Sequence, residues 1–361
     1  MGDCVKLISV LLAFIGVSVL ELGWCHQVAA QQGRLGRGMN VVSSISASEL
    51  AELGNQLHPS LIRYTLSLGT FADTASVESY HAEILKALDR FDNELVPVLR
   101  SYGMKVVLSL GTPPGGFASR RPPLPQMRIF TKAPFQIALK DLWNELSLRY
   151  ASSDVVVAYH LLSEPAIGAK TASGLLSWYD LQAVLGAIVR KNDKRHPIVL
   201  TSEYSNPFVI SRAQVKNLRN VWYAVNFYMP VDFLRQGVEL PVNTMDYPSK
   251  KYNKKYLERL LRPTVRFSKL NKSKILVTEF TTSRFGPAGS SVRYLADLLD
   301  VFSKHRWNWT FHAWAEADAW DVRIPAAEDT ASSKLPYRAR LLKQYFSFDT
   351  VRYTPQKFVR R

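Results

Sequence analysis

The chain has 361 residues, room for one large domain or two small ones, and its 46 lysines and arginines outnumber 30 aspartates and glutamates to leave a formal charge of +16. Two cysteines, Cys4 and Cys25, are too few for a disulfide-built scaffold. A dinucleotide-binding glycine fingerprint, a His-Glu-x-x-His metal helix, a Gly-x-Ser-x-Gly elbow and a nucleic-acid-binding signature are all missing, so neither a cofactor nor a metal nor nucleic acid is an expected partner.

Lys6 is followed by an apolar run from Leu7 to Leu20 and by the small residues Val28-Ala29-Ala30. This pattern predicts a secretory signal peptide over residues 1–30, and hence a secreted or periplasmic protein; an uncleaved N-terminal anchor is the alternative. Both cysteines fall inside that segment, so the processed chain would carry no thiol. Cys25 as a lipid-attachment site is opposed by the bulky Trp24 before it. No other stretch is long and apolar enough to span a bilayer. The remaining 31–361 shows no linker or change of periodicity and reads as a single domain; the Pro-rich Arg121 to Pro125 has only the length of a loop.

From Gly38 onward, short apolar runs alternate with longer amphipathic ones. Strands are expected at Gly38 to Val42, Leu61 to Tyr64, Val106 to Leu110, Val155 to Leu162, Pro197 to Thr201, Val221 to Phe227, Ile275 to Glu279 and Trp309 to Trp314. Between them Ile84, Leu88, Phe91, Leu95 and Leu99 recur every three or four residues, with Gly103 as a stop. The same period returns in Phe135 to Tyr150, Leu175 to Arg190, Tyr256 to Leu270 and Val292 to Phe302. Eight such units predict an α/β fold closed as a parallel (β/α)8 TIM barrel.

In such barrels the reacting groups sit at the C-terminal strand ends. Glu164 closes the fourth predicted strand and Glu279 the seventh. Hydrolysis of a sugar acetal needs one carboxyl group to protonate the leaving oxygen and a second to attack the anomeric carbon, so this pair points to glycosidic bond cleavage. Arg63 lies near the end of the second strand, Tyr228 just past the sixth and Trp314 at the end of the eighth. Glu203 and Glu316, after strands five and eight, are the competing carboxylates.

These elements, Gly38-Met39-Asn40, Ile62-Arg63, Glu164-Pro165, Asn226-Phe227-Tyr228, Thr278-Glu279-Phe280 and the Trp314 region, resemble glycoside hydrolase family five, the cellulase-like members of a clan of retaining (β/α)8 glycosidases, over roughly Gly38 to Phe346. The resemblance implies a general acid/base at Glu164 and a nucleophile at Glu279 held by Arg63 and Tyr228. It also implies that Trp314 supplies an apolar platform for a sugar face. Ser163 stands where the family has Asn in Asn-Glu-Pro, and Asn226 where it has the histidine of His-x-Tyr. Ser163 is shorter than the Asn that reaches the sugar 2-hydroxyl, and Asn226 can donate a hydrogen bond but carries no proton.

Each residue also has a plainer reading. A glutamate before proline can cap a turn, Arg63 can belong to a structural ion pair, and Tyr228 and Trp314 can pack into the barrel rim. Tyr204, Trp222 and Trp320 read as packing or subsite residues, and His160 as a satisfied interior histidine. Asn271 and Asn308 match the glycosylation acceptor triplet, a signal common by chance. The expected activity is retaining hydrolysis of a β-linked polysaccharide or oligosaccharide by a monomer. The alternatives are a carbohydrate-binding barrel without turnover and a basic protein holding an anionic polysaccharide; the high positive charge suggests an anionic substrate or partner in any case.

Overall fold

The computed structural model describes residues 35–69, 71–121, 125–327, 329 and 335–346. The chain divides into Met1–Leu35, of which only Leu35 is described, and the compact Gly36–Arg361. The expected signal segment with Cys4 and Cys25 therefore lies outside the described residues. Among the described residues no helix is long and apolar enough to cross a membrane.

Eight strands close a barrel: β1 (Arg37–Val42), β2 (Leu61–Leu66), β3 (Lys105–Leu110), β4 (Val156–His160), β5 (Ile198–Thr201), β6 (Val221–Phe227), β7 (Lys274–Phe280) and β8 (Asn308–Phe311). Each pairs in parallel with its neighbours in chain order, and β1 pairs with β8 to complete the ring. All eight are at least partly buried along almost their whole length because helices cover the outside while side chains fill the inside; this is why they read as continuous apolar runs. Gly38 is fixed by contact: a Cβ there would fall 1.5 Å from the carbonyl oxygen of Leu61, where β1 and β2 run side by side.

The outer helices are α1 (Ala47–Leu57), α2 (Val77–Arg90), α3 (Ala133–Tyr150), α4 (Trp178–Asn192), α5 (Lys254–Leu260), α6 (Arg262–Asn271), α7 (Ser290–Lys304) and α8 (Tyr337–Phe346). α1 opens with a reciprocal cap in which the Ser46 hydroxyl accepts from the Glu49 N–H and the Glu49 carboxylate accepts from the Ser46 N–H, a device worth about 1 kcal/mol. α2 continues through a one-turn π segment, Phe91–Leu95, into Val96–Ser101, so the predicted period from Ile84 to Leu99 is one helical rod with a wide turn inside it.

Three expectations need correction. The helix expected from Tyr256 to Leu270 is broken at Leu261, where Pro263 occupies the first turn of a new helix that its ring favours. No α-helix follows β5; the connection is made by short 3-10 turns, Glu203–Ser205 and Pro207–Ala213, because Pro207 and positive φ at Tyr204 and Ser205 interrupt any longer run. Finally, β8 stops at Phe311, short of Trp314, and beyond Trp314 positive φ at Ala315 (+62°) and Ala317 (+54°) bends the chain further.

Candidate active site

At the C-terminal mouth, Arg63 on β2 forms the base of a polar cluster. Its guanidinium is 1% exposed. Nη1 donates to Glu279 Oε1 at 2.6 Å and to Asn40 Oδ1 at 2.7 Å, and Nη2 donates to Ser163 Oγ at 2.6 Å. Asn40 is in turn locked by donating to the Thr278 and Thr310 carbonyls. A buried arginine is tolerable only when it is paired, and here β1, β7 and the segment after β4 supply partners to both terminal nitrogens, while Nε has none among the described residues.

Glu279 is thus held from below, and Tyr228 holds it from the side, its hydroxyl donating to Oε2 at 2.7 Å. A register shift between Val225 and Asn226 sets Asn226 directly beside Glu279 on the neighbouring strand. The Thr278 hydroxyl donates to Asn226 Oδ1 at 2.7 Å, which turns the Asn226 amide nitrogen toward the carboxylates. That nitrogen donates to Glu164 Oε1 at 2.7 Å and to Glu279 Oε2 at 3.2 Å. These two hydrogen bonds hold the two oxygens no more than about 5.9 Å apart, compatible with the roughly 5–5.5 Å of direct double displacement and below the roughly 6.5–9.5 Å of inverting enzymes.

The two carboxyl groups are driven in opposite directions. Glu164 is crowded by protein yet open to the cleft, with a φ of +47° that costs a non-glycine residue about 1–3 kcal/mol. The crowding and the negative charge on Glu279 push it up to about 7, against the pull of the Asn226 hydrogen bond and of Arg63. At Glu279 burial pushes upward as well, but the Arg63 charge and the hydrogen bonds from Tyr228 and Arg63 outweigh it and hold the carboxyl below its ordinary value. His312 adds to this only when charged, and burial lowers its own proton affinity, so the permanent charge of Arg63 is the main cause. One carboxyl can therefore give a proton while its neighbour stays an anion able to attack carbon.

Two hollows meet at Glu164. One, of about 330 Å³, is walled by Tyr228, Trp320, Val231, Leu234 and Arg235 and reaches Glu279. The other, of about 340 Å³, includes Ser163, Phe117, Arg120 and Tyr204. Together they make a cleft running across the carboxylate pair.

The structure brings Arg63, Ser163, Glu164, Asn226, Tyr228 and Glu279 together, as the sequence implied. Ser163 lines the second hollow, and its hydroxyl accepts from Arg63 and donates to Glu279 Oε1 at 3.5 Å. Trp314 is not in the cleft. It is 1% exposed, its indole donates to the Glu49 carbonyl at 3.2 Å, and Arg323 covers its ring, so it ties the loop after β8 to α1. The aromatic wall comes from Trp320, whose indole donates to Leu234 O at 3.0 Å and whose ring lies 6.0 Å from that of Tyr228.

His312 was not singled out, although it follows β8 directly and the strand-end rule would have found it. Its ring packs 5.6 Å from Trp320, and Nδ1 is 3.6 Å from Glu316 Oε1, which has no hydrogen-bond partner among the described residues. Burial and the charge of Glu279 push Glu316 up to about 7. Glu203 is paired with Arg212. His160 is buried inside the barrel against Ser109, Trp222 is buried at the start of β6, and Tyr204 donates to Pro125 O. Asn308 is 4% exposed and accepts from the Gly36 N–H, so its acceptor triplet is closed off. Among the described residues no group of three metal-ligating side chains converges.

The family model for cellulase, glycosyl hydrolase family 5, matches residues 38–318. No curated protein sequence matches. Among solved structures, Cel5A of Thermotoga maritima with cellobiose superposes with a TM-score of 0.66 at 18% identity, over 86% of this chain and 97% of that one. The same enzyme with mannotriose gives 0.64 at 18% identity, over 87% and 97%. The cellulose synthase subunit Z of Clostridioides difficile gives 0.64 at 15% identity, over 86% and 99%. Identities this low speak for a shared fold, whereas the family match spans most of the barrel and its mouth. The chain belongs to glycosyl hydrolase family 5 and is a retaining glycoside hydrolase of β-linked saccharides.

Proposed function

We propose that Glu279 is the nucleophile and Glu164 the general acid/base, and that the preferred substrate is a β-1,4-linked glucan, with mannan as a second accepted backbone. The observation that carries the assignment is the Asn226 amide shared by two carboxyls of opposite protonation. Glu164 gives its proton to the glycosidic oxygen while Glu279 attacks the anomeric carbon and forms a glycosyl ester. Glu164, now ionised, then takes a proton from the water that hydrolyses the ester. Arg63 and Tyr228 keep Glu279 anionic and aimed, and Trp320 offers a ring face to a sugar beside it. The backbone choice follows the cellobiose and mannotriose complexes of Cel5A, and the hollows on both sides of Glu164 suit cleavage within a chain.

Arg63, Glu164 and Glu279 come from one barrel, which suits a monomer. The positive charge favours an anionic polysaccharide around or within the substrate, and the apolar N-terminal segment favours export.

The roles are tested with substrates of different leaving groups. Glu279→Ala is expected to lose turnover on all of them. Glu164→Ala is expected to retain hydrolysis of aryl glycosides with good leaving groups and to be accelerated by azide, because such leaving groups need no proton. Equal loss in both variants on both substrate types, without azide rescue, would overturn the assignment.

A further inference from the structure

The outer wall of the barrel carries a second concave surface with a different chemistry. α5 and α6 follow one another through Leu261; Arg262, Arg266 and Leu270 recur every four residues and share one face of α6, and Arg259 near the end of α5 lines the same hollow. With Ser211 and Asn271 they line a trough of about 480 Å³ whose apolar part is Pro263, Phe267 and Leu270, the last 72% exposed. No carboxylate lines it.

A run of basic residues is most often a solvated face, and three features separate this one from that. Between Lys254 and Lys274 eight basic residues stand against one acid, Glu258, which is paired with Lys304 at 3.1 Å. Arg262 and Arg266 have no ion-pair partner among the described residues. Arginines fill the trough while Lys255 and Lys269 stand outside its lining; guanidinium forks grip planar or tetrahedral oxyanions in pairs, which ammonium groups do not. Arg262 and Arg266, four apart on one helix, are about 6 Å apart along its axis, close to the length of one sugar ring. Leu270 and Pro263 between them suit the apolar faces of those rings.

We propose that this trough binds an anionic polysaccharide, gripping carboxylate or sulfate groups spaced by about one sugar along the chain, and so tethers the enzyme to the material around its substrate. The proposal rests on the reading of an anionic partner and not on the roles given to the glutamates. α6 runs into β7 at Lys274, the end of the strand remote from Glu279, so a chain in the trough leaves the catalytic mouth open.

The test uses the full protein and alginate as probe, with binding measured at low and high ionic strength. R259Q/R262Q/R266Q is expected to bind alginate about ten-fold more weakly at low salt. K86Q/K132Q/K191Q, which removes the same charge from exposed sites elsewhere, should bind as the parent does. Both variants should hydrolyse a neutral chromogenic glucoside at the parental rate. Equal weakening in the two variants, or none in the arginine variant, overturns the trough as the site. A parent protein that binds alginate no better than dextran, a neutral α-linked glucan, at either salt, overturns the anionic partner itself. Loss of binding to vesicles of anionic phospholipid, with alginate binding intact, would assign the arginines to a lipid surface and overturn the proposal.

Discussion

Asn226 donates to Glu164 at 2.7 Å from a nitrogen that is also 3.2 Å from Glu279. A single amide thus couples two groups that must hold opposite protonation states. Its hydrogen bond to Glu164 favours the ionised form. Asn226→Ala is therefore expected to raise the Glu164 pKa and move the alkaline limb of kcat/KM from near 7 to higher pH, while kcat falls about ten- to hundred-fold as the two carboxyls lose their common support. pH-rate profiles of the two proteins check this; an unmoved alkaline limb would detach Asn226 from the acid.

Glu316 offers a test through stability. In the folded chain it stays protonated up to about 7, from an ordinary 4.5, so the native state keeps a proton that the unfolded state releases. Stability linked to that proton is full below 4.5 and is lost as pH rises through about 7. Glu316→Gln cannot ionise, so it should match the parent at pH 4 and exceed it at pH 8 by about 1–2 kcal/mol, after allowing for the partial exposure of the side chain. Denaturant melts at the two pH values measure the difference, and a gain at pH 4 alone would contradict the sign.

Ser163 accepts the only described hydrogen bond of Arg63 Nη2. Ser163→Ala leaves that buried donor unfilled and should cost about 1–3 kcal/mol of stability. Because the same guanidinium sets Glu279, kcat is expected to fall more than KM rises. Paired thermal melts and steady-state kinetics read both effects, and a change confined to KM would return Ser163 to simple sugar binding.

The two tryptophans after β8 should separate cleanly. Trp320→Ala removes a cleft wall and is expected to raise KM for oligosaccharides about ten-fold with little loss of stability. Trp314→Ala empties a core position and should cost about 3–5 kcal/mol while leaving KM of the surviving folded protein unchanged. Inhibition by cello-oligosaccharides together with denaturation curves distinguishes the pair.

The contrast between these tryptophans also marks how far the sequence could be read. Strand positions and the two glutamates were legible because a buried parallel strand is a short apolar run and a residue at its end stands out against it. Arg63 and Asn226 were legible through their motifs. Which tryptophan faces the cleft was not, because the choice depends on Ala315 and Ala317 taking positive φ, and alanine carries no signal for that conformation. The pairing of Ser163 with Arg63 was hidden for a similar reason: a hydroxyl turns to its nearest strong donor, and that donor comes from a strand a hundred residues away. The broken helix at Leu261 could have been read from Pro263, had the proline been weighed against the hydrophobic period that continues past it.

Arg63 and Glu279, touching at 2.6 Å, are 216 residues apart in the chain and reach one another only across a closed ring that β1 and β8 complete. No contiguous fragment shorter than that span contains both, and a partly assembled ring would hold an unaccompanied guanidinium or an unaccompanied carboxylate. Hydrolysis is thereby a reporter of ring closure, and its loss in denaturant should coincide with the loss of far-ultraviolet circular dichroism.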